Sequence, residues 1–167
     1  LDWAVPELKR RGMTATFFFP THHVGGHNDW DTKEGKPKVE LMNQDDLNSL
    51  IAAGMEVGSH GHRHIPLGES ATDIVKKELT ESKGLLEEWT GSAITQLAWP
   101  YGSVPHNADD ITTTCGFDNA CAIFSKANSK GQLRRVIVHE QDTAWTLRLK
   151  FGGAYRAYRS WTDRRIP

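Results

Sequence analysis

Short apolar segments rich in β-branched or aromatic residues alternate along this chain with longer stretches whose apolar residues fall at helical spacing. Thr14–Phe19, Met55–Ser59, Gln96–Trp99, Ala120–Phe124 and Arg135–His139 read as strands. Thr14–Phe19 ends at Pro20 and is apolar enough to be buried on both faces. Between them, Trp3–Arg11 reads as a helix with Val5 and Leu8 on one face, Pro6 in its first turn and Gly12 as its stop. Asp45 or Asp46 can cap a helix that carries Leu47, Leu50 and Ile51 and ends at Gly54. Glu69–Thr90 has Ile74, Val75, Leu79, Leu85, Leu86 and Trp89 near a 3.6 period, with Gly91 beyond its end. Asn107–Cys115 is a further helix stopped by Gly116. Strand, loop and helix in repetition predict an α/β fold: parallel strands with helical crossovers, as a barrel or a doubly wound sheet.

Length and charge narrow the possibilities. A chain of 167 residues suits one domain with a real core. Twenty basic against twenty-one acidic residues leave a net charge of −1, so nothing global draws the chain to nucleic acid or to an anionic membrane. Cys115 and Cys121 lack the paired spacing of a zinc knuckle and read as free buried thiols. No apolar run reaches the roughly 18 residues of a spanning helix. No basic-then-apolar signal opens the chain, which begins at Leu1; an upstream signal, and with it a cell-envelope or extracytoplasmic location, stays open. Arg148–Pro167 holds six basic residues, one acid, Tyr155, Tyr158 and Trp161. That composition suits a solvated final helix, or else a contact surface for a membrane or another chain.

In parallel α/β folds the working face lies at the carboxyl ends of the strands. Three polar loops fall there: His22–Lys38, the run Gly58-Ser59-His60-Gly61-His62-Arg63-His64-Ile65-Pro66-Leu67, and Pro100-Tyr101-Gly102. Imidazoles near pH 7 offer lone pairs, so the second loop is a candidate metal site, with a solvated histidine-rich turn as the alternative. Gly61 and Pro66 argue against a regular helix, so His60 and His64 would converge through a turn. Pro100–Gly102 on its own reads first as a Pro-Gly turn with Tyr101 packed beneath it.

Gly-Ser-His-x-x-x-His-x-x-Leu, followed about 35 residues later by Pro-Tyr-Gly after a strand, resembles the polysaccharide deacetylase family, carbohydrate esterase family 4. Pro6-Glu7-Leu8 through Ala15-Thr16-Phe17-Phe18 extends the resemblance, which covers roughly residues 1–125. The resemblance implies a distorted (β/α) barrel, with residues 1–167 as a single catalytic domain. It implies a divalent metal, most often zinc, held by one Asp and two His, and hydrolysis of acetyl groups from N-acetylated or O-acetylated carbohydrate. On it, His60 and His64 are the metal ligands and His62 is spare. Tyr101 supplies the backbone N–H of an oxyanion site, where one such donor can be worth about 3 kcal/mol. Trp99 and Pro100 become candidates for substrate contact; Trp99 and Trp30 have ring faces suited to a sugar, and Trp99 is equally a core candidate.

The sequence departs from the family pattern in four places. Gly61 stands where a Ser or Thr usually braces the histidine loop, and Ala98 stands where an Arg usually orients the catalytic carboxylate. The first motif, Thr-Phe-Asp-Asp, has no equivalent, so the barrel is expected to lack its first strand, with its base and third ligand. Asp2 lies in a helix approach, and Asp29 and Asp31 lie in a polar loop. Val136-Ile137-Val138-His139 has the form of the family's late Leu-x-His, but closer to Tyr101 than usual, so a structural or surface role for His139 is the favoured reading. His22 and His23 read as loop residues within reach of substrate. Two other functions stay open: a non-catalytic carbohydrate-binding relative, and a same-fold amidohydrolase acting on small cyclic amides.

Overall fold

The computed structural model describes residues 1–32, 35–123 and 132–152. In chain order the elements are α1 (Ala4–Arg10), β1 (Thr16–Phe19), α2 (Asp29–Thr32), α3 (Gln44–Ala52), β2 (Glu56–Ser59), α4 (Thr72–Thr90), β3 (Gln96–Ala98), α5 (Ala108–Thr114), β4 (Asn119–Ala122), β5 (Gln132–Arg134) and α6 (Ala144–Phe151). The five strands form one parallel sheet in the order β1-β2-β3-β4-β5. Strand neighbours in sequence are neighbours in space, with α3, α4 and α5 as the crossovers, which is the α/β arrangement the alternating pattern predicts.

Period-two alternation divides the sheet into two unlike faces. Phe19, Val57, Leu97, Trp99, Ala120 and Ala122 point to the helical side and are buried. There they join Leu47 and Leu50 of α3, Val75, Leu79 and Leu86 of α4, and Ile111 of α5 in one core. On the opposite face, register aligns Phe18 with Gly58, and Ala98 with Cys121. The strands then run out at His60 and Arg135, whose backbone N–H groups donate to Phe19 O at 2.9 Å and Ala122 O at 2.9 Å. β1 and β5 are at opposite ends of the sheet order, about 19 Å apart if the sheet were flat. Yet the Arg135 guanidinium carbon lies 5.7 Å from the centre of the Phe18 ring. Side chains standing perpendicular to a flat sheet could not meet this way. The sheet curls, as part of a barrel wall does, and Gly58 makes room inside the curl: a Cβ there would lie 2.6 Å from the Phe18 ring.

Several elements differ from the sequence reading. α3 is capped by Asn43, whose side chain accepts from Asp46 N while the Asp46 carboxylate accepts from Asn43 N, a reciprocal capping box. Asp46 is therefore the third helical residue, not the cap. The stretch expected as Glu69–Thr90 divides into a 3-10 turn at Leu67–Glu69 and α4 from Thr72. Gly91 ends α4 in the left-handed conformation as expected, φ 63°. The last strand is Gln132–Arg134; residues 135–139 are not strand despite three β-branched residues. Phe124, Tyr155, Tyr158, Trp161 and the rest of the tail after Gly152 lie outside the described residues. Both cysteines are free and buried. Among the described residues, no helix is long and apolar enough to cross a membrane.

Candidate functional site

β2 delivers the histidine loop to the carboxyl edge of the sheet, and the loop is held from three sides. From β1 and the turn after it, Thr21 N donates to Gly61 O at 3.2 Å and His22 N to His62 O at 3.0 Å. From its own strand, the Ser59 hydroxyl accepts from Gly61 N at 3.2 Å and is itself bonded to the Ser82 hydroxyl on α4 at 2.8 Å. From α4, the Glu78 carboxylate accepts from His62 N at 3.1 Å, Arg63 N at 2.8 Å and Arg63 Nε at 2.6 Å. Glu78 is only 1% exposed. Burial is the largest single influence on its carboxyl and opposes ionisation, but the Arg63 and His62 donors together outweigh it and leave the pKa lowered. Gly61 adopts φ 73°, a left-handed turn that brings the flanking histidines together. The brace that the family places on the residue after His60 comes here from Ser59 and Glu78.

The rings of His60 and His64 lie 4.9 Å apart, centre to centre. His60 Nδ1 is 2.6 Å from the Ala98 carbonyl, which can only accept, so the proton sits on Nδ1 and Nε2 carries the lone pair. Burial lowers the His60 pKa; the Ala98 carbonyl works against this, and the Arg135 charge adds to it. His64 is lowered to about 4, by burial first and then by the charges of His60 and His23, with Asp31 opposing. Both imidazoles are therefore neutral donors at pH 7. His62 turns away: its Nδ1 lies 2.9 Å from the Thr21 hydroxyl and its Nε2 3.5 Å from Glu81 Oε1.

β3 brings Pro100-Tyr101-Gly102 beside this pair. Tyr101 has φ 56° and ψ 7°, and its hydroxyl lies 3.2 Å from His64 Nδ1. His64 also has φ 56°. Among the described residues these are the two non-glycine residues in the left-handed region, and they touch. Such conformations cost on the order of 1–3 kcal/mol each and collect at functional sites. Ser103 ties the two loops together, its hydroxyl accepting from Gly68 N at 2.9 Å.

Other candidates separate by position. Trp30 on α2 lies 4.2 Å from the His64 ring and 4.7 Å from His23, forming an aromatic wall over the histidines. Trp99 and Pro100 are fully buried, and the Trp99 indole N–H donates to Gln132 Oε1 at 2.8 Å. This corrects the expectation of substrate contact: strand alternation turns Trp99 to the helical side, so its ring belongs to the core. Asp29 and Asp31 pair with Lys38 and Lys36 at 3.5 and 2.7 Å, and Asp2 is exposed. His139 is exposed beyond β5 and follows no strand. An apolar cavity of about 140 Å³, lined by Phe17, Phe19, Val24 and Met42 among others, sits against β1 and includes His23 but neither His60 nor His64. Sequence reading missed Glu78, although its signal was present: Val75, Glu78, Leu79, Ser82 and Leu86 share the buried stripe of α4.

Two imidazoles give two of the three protein ligands that a catalytic zinc takes. Among the described residues no group of three His, Cys, Asp or Glu side chains could hold a metal ion.

Solved structures share this fold. The chain aligns with the Streptococcus pyogenes deacetylase PplD in complex with acetate at a TM-score of 0.71 and 19% identity, over 90% of this chain and 64% of that one. It aligns with IcaB from Ammonifex degensii at 0.70 and 20% identity, over 94% of this chain and 66% of that one. BA3943, a CE4 family pseudoenzyme from Bacillus anthracis, aligns at 0.53 and 20% identity, over 70% of this chain and 37% of that one. At these identities the likeness is one of fold, and the chain spans about two thirds or less of each relative's length. No curated protein matches the sequence. A family model described as polysaccharide deacetylase matches residues 2–120, and the chain belongs to that family.

Proposed function

We propose that this chain acts as a metal-dependent hydrolase that removes acetyl groups from N-acetylated or O-acetylated carbohydrate. The observation that carries the reading is the meeting of His60, His64 and Tyr101 at the carboxyl ends of β2 and β3, the last two in strained left-handed conformations. His60 offers Nε2 in a fixed tautomer, and His64 stays neutral to about pH 4, so the pair suits a divalent ion, zinc first. Such an ion, when bound, polarises the acetyl carbonyl and acidifies water. Tyr101 contributes its backbone N–H to the developing oxyanion, a role its side chain is not needed for. Glu78 and Ser59 keep the histidines in place, and Trp30 offers an aromatic face to a sugar ring.

A second reading is a carbohydrate-binding relative without catalysis. It is favoured by the want of a third ligand among the described residues and by the fold shared with a pseudoenzyme. Zinc titration and acetate release from N-acetylglucosamine oligomers separate the two. The hydrolase reading expects one zinc per chain, acetate release abolished by chelation, and loss of zinc in His60→Ala and His64→Ala. Oligosaccharide binding with no acetate release, at full zinc occupancy, would establish the second reading; full zinc retention in both variants would refute the site.

A further inference from the structure

Helix α6 turns its more apolar side away from the protein. At about 100° per residue, Trp145, Arg148 and Leu149 share one arc with Phe151 at its edge, while Thr146, Leu147 and Lys150 fall opposite. Trp145 and Phe151 are 67% and 68% exposed, and Arg148 and Leu149 are exposed beside them. The inward side is fixed by charge: Lys150 Nζ donates to Asp142 Oδ2 at 2.6 Å and to Ile137 O at 2.9 Å, and both side chains of the ion pair are largely buried. Reciprocal bonds between Thr143 and Thr146 cap the same helix, so its rotation is set. Val138, next to the carbonyl that Lys150 grips, adds exposed apolar surface. Single exposed apolar residues are ordinary, but two aromatic rings and a leucine on one two-turn helix form a patch, and such patches mark interaction sites.

Charge says what covers this face. Arg148–Pro167 carries six basic residues against one acid, in a chain whose net charge is −1, with Tyr155, Tyr158 and Trp161 spaced among the arginines. The core of a protein–protein interface is depleted of charge, and a nucleic acid would use the arginines while leaving Leu149 and Phe151 uncovered. The headgroup boundary of an anionic bilayer takes both, since aromatic rings settle there and arginines meet lipid phosphate. We propose that the outer face of α6, together with the basic segment that follows it in sequence, docks this protein on an anionic lipid surface. With eight residues α6 is far too short to span, so it lies in the interface with Trp145, Leu149 and Phe151 toward the acyl boundary. This docking is independent of the chemistry at His60 and His64.

The test is co-sedimentation of the whole chain with two kinds of vesicle, phosphatidylcholine alone and phosphatidylcholine with phosphatidylglycerol in equal parts, at low salt. Binding to the mixed vesicles is expected, with little to the neutral ones and a steep fall as sodium chloride is added. The double variant Trp145→Ser with Phe151→Ser should bind the mixed vesicles about tenfold or more weakly. Its melting by circular dichroism should match the parent's, because neither ring is packed against the protein. Failure of the parent to sediment with mixed vesicles, equal binding to neutral ones, or undiminished binding in the double variant would overturn the proposal. A dimer that the double variant abolishes, or binding to a DNA oligonucleotide, in either case without vesicle binding, would give the face to another partner and overturn it too. Should the double variant melt early, Trp145→Phe decides. It keeps an apolar ring and so keeps binding, but it should lose part of the tryptophan quenching that brominated lipid causes in the parent; quenching equal to the parent's would overturn the placement of α6 in the interface.

Discussion

Replacing Glu78 with Ala should loosen the histidine loop while leaving every histidine in the sequence. The carboxylate is 1% exposed and receives two backbone N–H groups, from His62 and Arg63, that have no other partner in the loop. Removing it orphans both, at about 1–3 kcal/mol each, or about 2–6 kcal/mol together. Its bond to the Arg63 side chain adds nothing to this figure, because that side chain is 52% exposed and screened by water. For a chain of this length each kcal/mol moves the melting temperature by about 2–4 °C, so a fall on the order of 10 °C is expected by circular dichroism at pH 7. Glu78→Gln keeps a carbonyl oxygen for the two amides and loses only charge assistance, so it should cost less, about 1–2 kcal/mol. The lowered pKa of Glu78 means that its contribution is present above the unfolded value near 4.3 and is lost as pH falls through the folded one. Parent and Glu78→Gln should therefore converge in stability in strong acid. Zinc affinity, measured at 20 °C where all three remain folded, should fall in the order parent, Gln, Ala. An Ala variant that melts within about 2 °C of the parent would refute the reasoning, since water would then be shown to satisfy both amides.

Gly58→Ala places a methyl 2.6 Å from the Phe18 ring and 3.0 Å from Gln96 O, so it should lower stability by about 1–3 kcal/mol in urea. An unchanged midpoint would show that Phe18 swings aside freely. Tyr101→Phe removes the hydroxyl near His64 but keeps the backbone N–H, so acetate release should stay within about tenfold of the parent, and a hundredfold fall would move the oxyanion role to the hydroxyl. The Asp142 carboxyl is held at about 2 by His139 N–H first and then by Lys150. Asp142→Asn should therefore be less stable than the parent at pH 7, with the gap closing between about pH 4 and pH 2; a gap that persists at pH 2 would show that shape, not charge, fastens α6.

The strand ends that position His60 and Tyr101 were legible in the sequence because each follows an apolar run cut off by Gly, Ser or Pro, and parallel topology puts all such ends on one side. His60, His64 and Tyr101 do meet there. What escaped was decided by partners distant in sequence. Trp99 could not be told from a sugar-stacking residue until register assigned its face. Val136–Val138 had strand propensity, yet the ladder with β4 ends at Arg134. Glu78 was hidden because a carboxylate in a helix stripe reads as a flaw in amphipathicity until its acceptors' donors are known. Asn43 lost to Asp45 and Asp46 in the reading because several capping residues stood side by side.

The clamp on the histidine loop also sets when that loop can open. The amides of Gly61, His62 and Arg63 end on Ser59 and Glu78, and these are joined to α4 by a buried hydroxyl pair and by the helix itself. A loop amide fastened in this way cannot exchange its hydrogen with solvent by local fraying; α4 has to lift from the sheet first. Deuterium should therefore enter these three loop positions as slowly as it enters the core of β2, so the segment that carries the chemistry belongs to the last cooperative unit of the fold to come apart.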